Sequence, residues 1–362
     1  MKNTHRSICI LLLGVILLSA CTSNTTEIPP AAMVTEENQS VPLPGPTWTP
    51  VPVMEPFTVY FSNPDGKGEP QADLVKAINS AQHRVDVAVM SLSLPDVCDA
   101  LSNAQKRGVE VRLVIETDSL DSKCPKRLKS EGIHIVDDRQ KGLMHDKFAI
   151  IDKKEVWTGS MNYTLTSAYD DHNNLLRIQS PEIAALYEGE FEEMYTEYLF
   201  GPGGNKTTTI QPIMVNGHNV EAYFSPEDKI AGRILKVIAS SKKSIHIQAF
   251  AFTRDDLGEE IIRRAKAGVK VRGVFDSDQI DSNIGGEFPR FLDAGLDVHR
   301  DPFINMLHDK LIIIDSEIII TGSYNFSNSA ETKNDENVVI IWDAQLAAQY
   351  EQEFEKIYQR AK

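Results

Sequence analysis

Two histidine–lysine pairs are the residues of this sequence best suited to chemistry on an anionic substrate. His145 and Lys147 stand two positions apart, and so do His308 and Lys310. Histidine can act as nucleophile, acid or base near neutral pH, and a lysine ammonium group can hold anionic oxygens. If each pair enters a β-strand, its two side chains share one face, because alternate strand residues point the same way. The pairs therefore predict a site with two imidazoles and two ammonium groups.

Both pairs belong to an internal repeat. Residues 143–162 recur as residues 306–325, and each member of the first copy precedes its counterpart by 163 residues. Chance does not keep six polar residue types in register across two copies, so the repeat indicates a shared structure and function. Further repeated side chains carry hydroxyl or amide donors suited to phosphoryl oxygens, namely Ser160, Asn162, Ser323 and Asn325.

The doubled pattern resembles the paired HKD motif of the phospholipase D superfamily, over about residues 57 to 361. It looks most like the endonuclease and cardiolipin-hydrolase branch. The resemblance implies a phosphodiesterase with no cofactor and no metal, in which two halves form one active site. His145 would attack phosphorus to give a phosphohistidine, and His308 would protonate the leaving alcohol and then activate water. The phosphoryl oxygens would be held by Lys147, Lys310, Asn162 and Asn325, with the hydroxyls of Ser160 and Ser323.

The aspartates of the motif have a less direct role. Membership of the motif groups Asp152 and Asp315 with the catalytic residues. However, each stands seven positions after its histidine, and strand alternation turns it to the opposite face. This geometry favours a role in stabilising the fold.

One departure from the motif makes the halves unequal. Close relatives carry a downstream N-x-E-N, whose acid orients a histidine by a hydrogen bond. The second half keeps this acid as Glu336, but Asn173 stands at the equivalent place in the first half. Different roles for the two histidines would fit this difference, although the sequence does not say which histidine Glu336 supports. The neighbouring His172 is expected to be an exposed turn residue.

The elements that must position these residues follow an α/β order. Apolar strands are predicted at 57–61, 85–90 and 109–115, with a helix over 71–83 and another beginning at Pro95. The second half repeats this order, and both halves end in a closing helix, at 181–198 and 344–360. The resemblance implies two tandem phospholipase D-like repeats, each a mixed β-sheet flanked by helices, packed with pseudo-two-fold symmetry around one active site. The predicted repeats are residues 57–203 and 217–362, joined by a linker at 204–216.

The N-terminus predicts export and anchoring. An apolar run of thirteen residues follows Lys2 and Arg6 and is short for a bilayer of ~30 Å, so residues 1–20 are expected to be a signal peptide. Leu18-Ser19-Ala20-Cys21 looks like a bacterial lipobox, which implies lipidation of Cys21. A Pro- and Thr-rich tether would span residues 21–56. The protein would then be a membrane-anchored bacterial lipoprotein at the cell surface or in the periplasm.

Two further cysteines remain in the exported part. Cys98 and Cys124 have no counterparts in the second half, so the repeat does not require them. Disulfides persist outside the cytosol, and the sequence slightly favours a bond between the two over free thiols.

The substrate is less defined than the reaction. A net charge of −15 disfavours a general nucleic-acid coat, although a local basic cluster at residues 123–141 leaves room for one. Phe303, Ile304, Met306 and Leu307 could form an apolar lip before His308, or pack inside a loop. A phospholipid is the favoured partner and single-stranded nucleic acid the alternative, with transfer to an alcohol also open. A monomer is expected.

Overall fold

The computed structural model describes residues 55–62, 69–139, 142–204, 212–303 and 305–362. The predicted signal peptide, Cys21 and nearly all of the predicted tether lie outside these residues. Within the described ranges, none of the helices has the length and apolar character needed to cross a membrane.

The first repeat forms a seven-stranded mixed sheet in the order β1-β7-β6-β5-β2-β3-β4. Strands β2, β3 and β4 are parallel, and the other neighbours are antiparallel. The predicted strands of this half are confirmed to within a residue or two. Their bounds are β1 (Phe57–Phe61), β2 (Arg84–Val89), β3 (Glu110–Ile115), β4 (His134–Asp137), β5 (Lys147–Ile151), β6 (Glu155–Gly159) and β7 (Asn174–Gln179).

The second repeat forms an eight-stranded sheet in the order β12-β11-β10-β13-β14-β15-β9-β8, with the same central arrangement. Strands β10, β11 and β12 are parallel. The bounds are β8 (Ile213–Val215), β9 (His218–Ser225), β10 (Ser244–Ala249), β11 (Lys270–Phe275), β12 (Asp297–Arg300), β13 (Lys310–Ile314), β14 (Ile318–Gly322) and β15 (Glu336–Trp342).

Strand β8 was not expected, because its residues fall within the predicted linker. It pairs with β9 through a tight hairpin at Asn216 and Gly217, whose φ angles are 48° and 91°. An Asn-Gly dipeptide between two strands is the preferred sequence for such a turn, because both positions need positive φ. The signal was therefore present in the sequence.

Helices flank both sheets. Pro95 and Pro181 begin their helices as first-turn residues, where the missing proline N–H costs nothing. The first closing helix ends at Tyr195, earlier than predicted, and Tyr198 has a φ of 58° that a right-handed helix cannot continue. The bounds are α1 (Ala72–Ser80), α2 (Pro95–Lys106), α3 (Lys123–Ser130), α4 (Leu165–Tyr169), α5 (Pro181–Tyr195), α6 (Ile230–Ala239), α7 (Asp255–Lys266), α8 (Ser277–Ser282), α9 (Glu287–Asp293), α10 (Asn328–Thr332) and α11 (Ala344–Ala361).

The two repeats share a hydrophobic core in addition to one core each. The shared core includes the closing helices α5 and α11, and each of them packs against the other repeat. Tyr187 of α5 meets Phe224 of β9 at 5.0 Å between ring centroids, and Phe61 of β1 meets Tyr350 of α11 at 5.3 Å. Tyr187, Phe224 and Tyr350 are buried and Phe61 is partly buried, and full burial of a phenylalanine side chain contributes about 1.5–3 kcal/mol. The halves therefore hold each other in a fixed, pseudo-symmetric arrangement.

The predicted disulfide is confirmed. Cys98 of α2 and Cys124 of α3 are bonded, with their Cα atoms 6.0 Å apart. The bond joins two helices on the outer side of the first sheet, where both cysteines belong to that repeat's own core.

Candidate active site

The two histidines lie where the repeats meet. The backbone N–H of His145 donates to the carbonyl of Asp335 at 3.0 Å, and that of His308 donates to the carbonyl of His172 at 2.9 Å. Each histidine is therefore pinned to the opposite repeat just before its strand, β5 or β13, begins. Both rings are nearly enclosed, with 6% and 7% of the residue exposed. The fold thus brings together two imidazoles that are 163 residues apart in the chain.

Glu336 supports His145, across the repeat boundary. Its Oε2 lies 2.6 Å from His145 Nδ1 and also accepts a hydrogen bond of 2.8 Å from Ser323 Oγ. Asn334 Nδ2 donates to Oε1 at 3.2 Å. The Nδ1–H of His145 therefore donates to the carboxyl oxygen of Glu336. This leaves Nε2 of His145 as the nitrogen with a free lone pair.

Asn173 takes the equivalent position beside His308. Its Oδ1 lies 2.9 Å from His308 Nδ1 and accepts from Ser160 Oγ at 2.9 Å. Its Nδ2 donates to the carbonyl of Ser167 at 3.0 Å, which fixes the orientation of the amide. His308 is therefore held in the same tautomer as His145, but by a neutral oxygen instead of a carboxylate.

The two lysines complete the centre. Lys147 and Lys310 are fully enclosed, and each Nζ donates to the carbonyl of its own motif histidine at 2.6 Å. Burial lowers the pKa of Lys147 to about 8 and lowers the pKa of Lys310 well below its ordinary value. Burial, together with these ammonium groups, also lowers the pKa of both histidines well below the usual range. An anionic substrate would relieve this crowding of positive groups.

Two buried aspartates, Asp146 and Asp309, directly follow the two motif histidines in the chain. Asn337 Nδ2 donates to Asp146 Oδ1, and Asn174 Nδ2 donates to Asp309 Oδ1, each at 2.7 Å and each across the repeat boundary. Burial raises the pKa of Asp146 and of Asp309 to about 7. These four residues were missed in the sequence. The signal was their strict repetition, because Asp follows each motif histidine and Asn ends each downstream tetrad.

Comparison with known proteins agrees with this geometry. The sequence matches the family described as "Cardiolipin synthase, PLD-like domain" twice, over residues 74–195 and 234–358. These segments make up more than half of the chain, and each contains one histidine–lysine pair. The chain belongs to the phospholipase D (PLD) superfamily.

Individual relatives support the same assignment. "Mitochondrial cardiolipin hydrolase" of Chlamydomonas reinhardtii is 32% identical over 126 residues, which are 35% of this chain and 56% of that protein. "Phospholipase D" of Rickettsia prowazekii (strain Madrid E) is 35% identical over 135 residues, 36% of this chain and 64% of that protein. The chain thus spans only about half to two thirds of these relatives' length.

The two-repeat PLD fold also occurs in a solved structure. Phosphatidylserine synthase from Haemophilus influenzae Rd KW20 matches with a TM-score of 0.63 and 15% identity, and the match covers 84% of this chain and 89% of that chain. At this identity the likeness concerns the fold alone. It agrees with the predicted α/β architecture of two tandem PLD-like repeats.

The structure corrects the grouping of Asp152 and Asp315 with the catalytic residues of the PLD motif. Each lies in the turn after its strand, about 20 Å along the chain from its histidine at ~3.3 Å per residue. Asp152 accepts backbone N–H groups of Gln82, His83 and Arg84 at 2.8–3.0 Å. Asp315 makes the same bonds to residues 242–244. Both carboxylates therefore fasten a hairpin turn to the start of the neighbouring strand.

The predicted phosphate-binding residues divide into two groups. Ser160 and Ser323 are fully buried, and their hydroxyls orient Asn173 and Glu336, so the structure assigns them a supporting position instead of the predicted contact with phosphate. Asn162 and Asn325 follow two residues later and are half-buried. Among the described residues, the Oδ1 atom of each is buried without a hydrogen-bond partner. These two amides stay predicted contacts for the substrate.

One surface expectation was wrong, and the structure decides between the alternatives left open for Leu307. His172 is buried, not exposed, and its ring packs 4.3 Å from that of Phe303. Leu307 belongs to the shared core, so it is no part of an apolar lip, whereas Met306 is exposed. In the basic cluster, Arg127 pairs with Asp99 at 2.7 Å, which reduces the cluster's net positive field.

Within the described ranges, no three His, Cys, Asp or Glu side chains stand close enough together to hold a metal ion. The polar groups gathered around the PLD histidines are instead ammonium, amide and hydroxyl groups, with the carboxylates placed behind them.

Proposed function

We propose that this protein is a phospholipase D-type phosphodiesterase that hydrolyses phospholipid headgroups through a phosphohistidine on His145. The observation that carries the proposal is the unequal support of two histidines in one centre. Glu336 can stabilise positive charge that develops on His145 during attack, whereas Asn173 only fixes the tautomer of His308. A nucleophile benefits from a charged partner, and an acid gives up its proton more readily without one.

In the first step, Nε2 of His145 attacks phosphorus and the bond from phosphorus to the leaving oxygen breaks. His308 enters as the imidazolium and donates its Nε2 proton to the departing alkoxide, so the alcohol leaves neutral. The ammonium groups of Lys147 and Lys310 stabilise the negative charge on the non-bridging phosphoryl oxygens. The anionic substrate itself favours the protonated form of His308 on binding, because it offsets the surrounding positive charge.

In the second step, neutral His308 takes a proton from water. The resulting hydroxide attacks phosphorus, the phosphorus–nitrogen bond breaks, and the phosphomonoester leaves. His145 returns to its starting state with its Nδ1 proton still on the Glu336 side. An alcohol in place of water would give transfer instead of hydrolysis, by the same sequence of bonds.

The lipid substrate is supported by the nature of the matched relatives, whose names include phospholipase D and cardiolipin hydrolase. The proposed lipid anchor at Cys21 and export to the cell surface or periplasm would keep a monomeric enzyme close to phospholipid. The net charge of −15 disfavours non-specific binding to nucleic acid and to anionic membranes alike, so it does not separate the two candidate substrates. The second candidate, a metal-independent nuclease, would use the same histidines on a different phosphodiester.

A panel assay tests the proposal. Purified protein is incubated in excess EDTA with phosphatidylcholine, cardiolipin and single-stranded DNA. We expect phosphatidate and a free alcohol from lipid, and no product with His145→Ala. The matched control, His134→Ala, removes a histidine at an exposed position of β4 and should keep full activity. Cleavage of DNA with intact lipids would replace the proposal by the nuclease, and activity that needs an added divalent ion would contradict the mechanism.

A further inference from the structure

A cavity of about 340 Å³ lies beside the site in the second repeat. This volume falls within the range of small-ligand pockets, ~300–1,000 Å³. Helices α8 and α9 and the Gly285–Gly286 turn between them contribute to its wall. Its apolar lining consists mainly of Phe250, Phe252, Phe275, Ile280 and Phe288, and its polar lining consists of Asp255, Gln279, Asn283 and Arg290.

Phe250 lies between this cavity and the site residues His308 and Lys310. Its ring lies edge-on to that of His308, with centroids 4.9 Å apart, and Lys310 Nζ lies 4.8 Å from its centroid. The same ring lines the cavity. One side chain therefore contacts both the proposed acid His308 and the cavity.

The first repeat has a different lining in the corresponding region. Met90 replaces Phe250, as the matching backbone bonds show: Met90 donates to the carbonyl of Asp146, and Phe250 to that of Asp309. The cavity of the first repeat, about 460 Å³, is bordered by the disulfide, Lys123 and Arg127 instead of phenylalanines. The backbone position next to each motif aspartate thus carries phenylalanine in the second repeat and methionine in the first.

The in-line geometry of the displacement decides on which side of phosphorus the leaving oxygen lies. The nucleophile His145 and the leaving oxygen must lie on opposite faces of phosphorus, so the leaving oxygen is on the His308 side. We propose that the phenylalanine-lined cavity binds an apolar chain carried by the leaving alcohol. The preferred substrates would then be lipid phosphodiesters with apolar groups on both sides of phosphorus. This inference rests on the proposed function and specifies its substrate class.

A series of synthetic phosphatidyl esters tests the inference. All members share one diacylglycerol and differ only in the leaving alcohol, from methanol to octanol, with phosphatidylcholine as reference. Because the shared diacylglycerol anchors each ester in mixed micelles, differences in partition stay small. We expect kcat/KM to rise about two- to fourfold per methylene until the cavity is full.

Variants at the cavity wall provide the control. Gly286 has φ −66° and ψ 145°, which any residue adopts, and an added Cβ would meet nothing closer than 3.9 Å. Gly286→Phe should fill the cavity and remove the dependence on chain length. Gly286→Ala, which adds little volume, should keep that dependence. Ile280→Ser, which makes the wall more polar without filling it, should reduce the slope by about half.

The outcomes separate this inference from the proposed function. Equal rates for all alcohols would overturn the cavity assignment and leave lipid hydrolysis intact. The same holds if Gly286→Phe and Ile280→Ser both keep the full chain-length dependence. Cleavage of single-stranded DNA but of no ester, with loss of that cleavage in Gly286→Phe, would overturn both and give the cavity to a nucleobase. Cleavage of neither substrate would overturn both as well.

Discussion

Glu336 Oε2 lies 2.6 Å from His145 Nδ1, although 191 residues separate the two in the chain. The equivalent contact, from Asn173 of the first repeat to His308 of the second, has an amide in place of the carboxyl group. The two halves therefore share one backbone arrangement but differ by one ionisable carboxyl group beside the reacting nitrogens, and burial raises the pKa of that carboxyl to about 8. The first two predictions test the consequences of that difference.

The first prediction is that phosphate becomes bonded to His145 and not to His308. His145→Ala should abolish turnover and the trapped intermediate. His308→Ala should abolish turnover of ordinary esters, because an alkoxide leaves poorly without an acid, but should keep partial cleavage of a nitrophenyl ester. Acid-quenched peptide mapping locates the phosphate. The double variant should lose no more than the worse single variant, and phosphate found on His308 would reverse the assignment.

The second prediction concerns the charge at position 173. Asn173→Asp places a carboxylate beside His308, which should stabilise the imidazolium and raise its pKa. Since His308 must be protonated to act as the acid, the alkaline limb of kcat/KM should move upward by about one pH unit. Asn173→Ala should lower activity without this upward shift. Glu336→Gln should reduce kcat by about 10- to 100-fold, and an unchanged pH profile in Asn173→Asp would argue against His308 as the acid.

The third prediction concerns Lys147, whose pKa burial lowers to about 8. As the pH rises through this value the ammonium group loses its proton, so the affinity for an oxyanion should fall by up to about tenfold per pH unit. Sulfate does not titrate in this range, and its binding can be followed by calorimetry in a His308→Ala background. Lys147→Arg, which keeps its charge, should bind sulfate with a flatter profile. Equal profiles for both proteins would remove Lys147 from the anion site.

The fourth prediction separates stability from catalysis at Asp152. Burial raises the pKa of this carboxyl, but three backbone N–H groups outweigh it, and the net pKa is below the ordinary value. Its stabilising contribution is therefore present above the unfolded-state pKa and lost as the pH falls through the folded one. Asp152→Ala should lower the free energy of unfolding by about 2–4 kcal/mol, measured by urea denaturation. The folded fraction should keep near wild-type kcat, and a large loss of kcat without destabilisation would restore a catalytic role.

The fifth prediction concerns the proposed anchor. Cys21→Ala should prevent lipidation and processing at that position and release the protein from the membrane fraction. Intact-mass spectrometry of the wild-type protein should show an acylated cysteine at the new N-terminus. The added mass should correspond to more than one acyl chain, since a single chain binds a membrane only marginally. An unmodified wild-type N-terminus would refute the lipoprotein proposal, and the catalytic proposals would stand.

The sequence by itself determined the main elements and the two histidine–lysine pairs of the centre. Strict repetition of His145, Lys147 and their counterparts identified the motif, and local apolar patterns placed the strands and the first-turn prolines. These features depend on neighbours within a few residues, which is the range over which backbone preferences and strand alternation act. The Asn216–Gly217 hairpin belongs to the same class, since its signal was local and readable.

Only the tertiary structure decided which partner serves which histidine. Glu336 reaches His145, Asn173 reaches His308, and Ser160 and Ser323 turn away from the expected phosphate to orient them. His172 is buried for the same reason, because the opposite repeat covers it. No local pattern encodes such contacts, since they arise when two separately formed sheets pack through α5 and α11 and close one half-site against the other. The difference between Glu336 and Asn173 affects the two histidines only because that packing brings each residue beside the histidine of the opposite repeat.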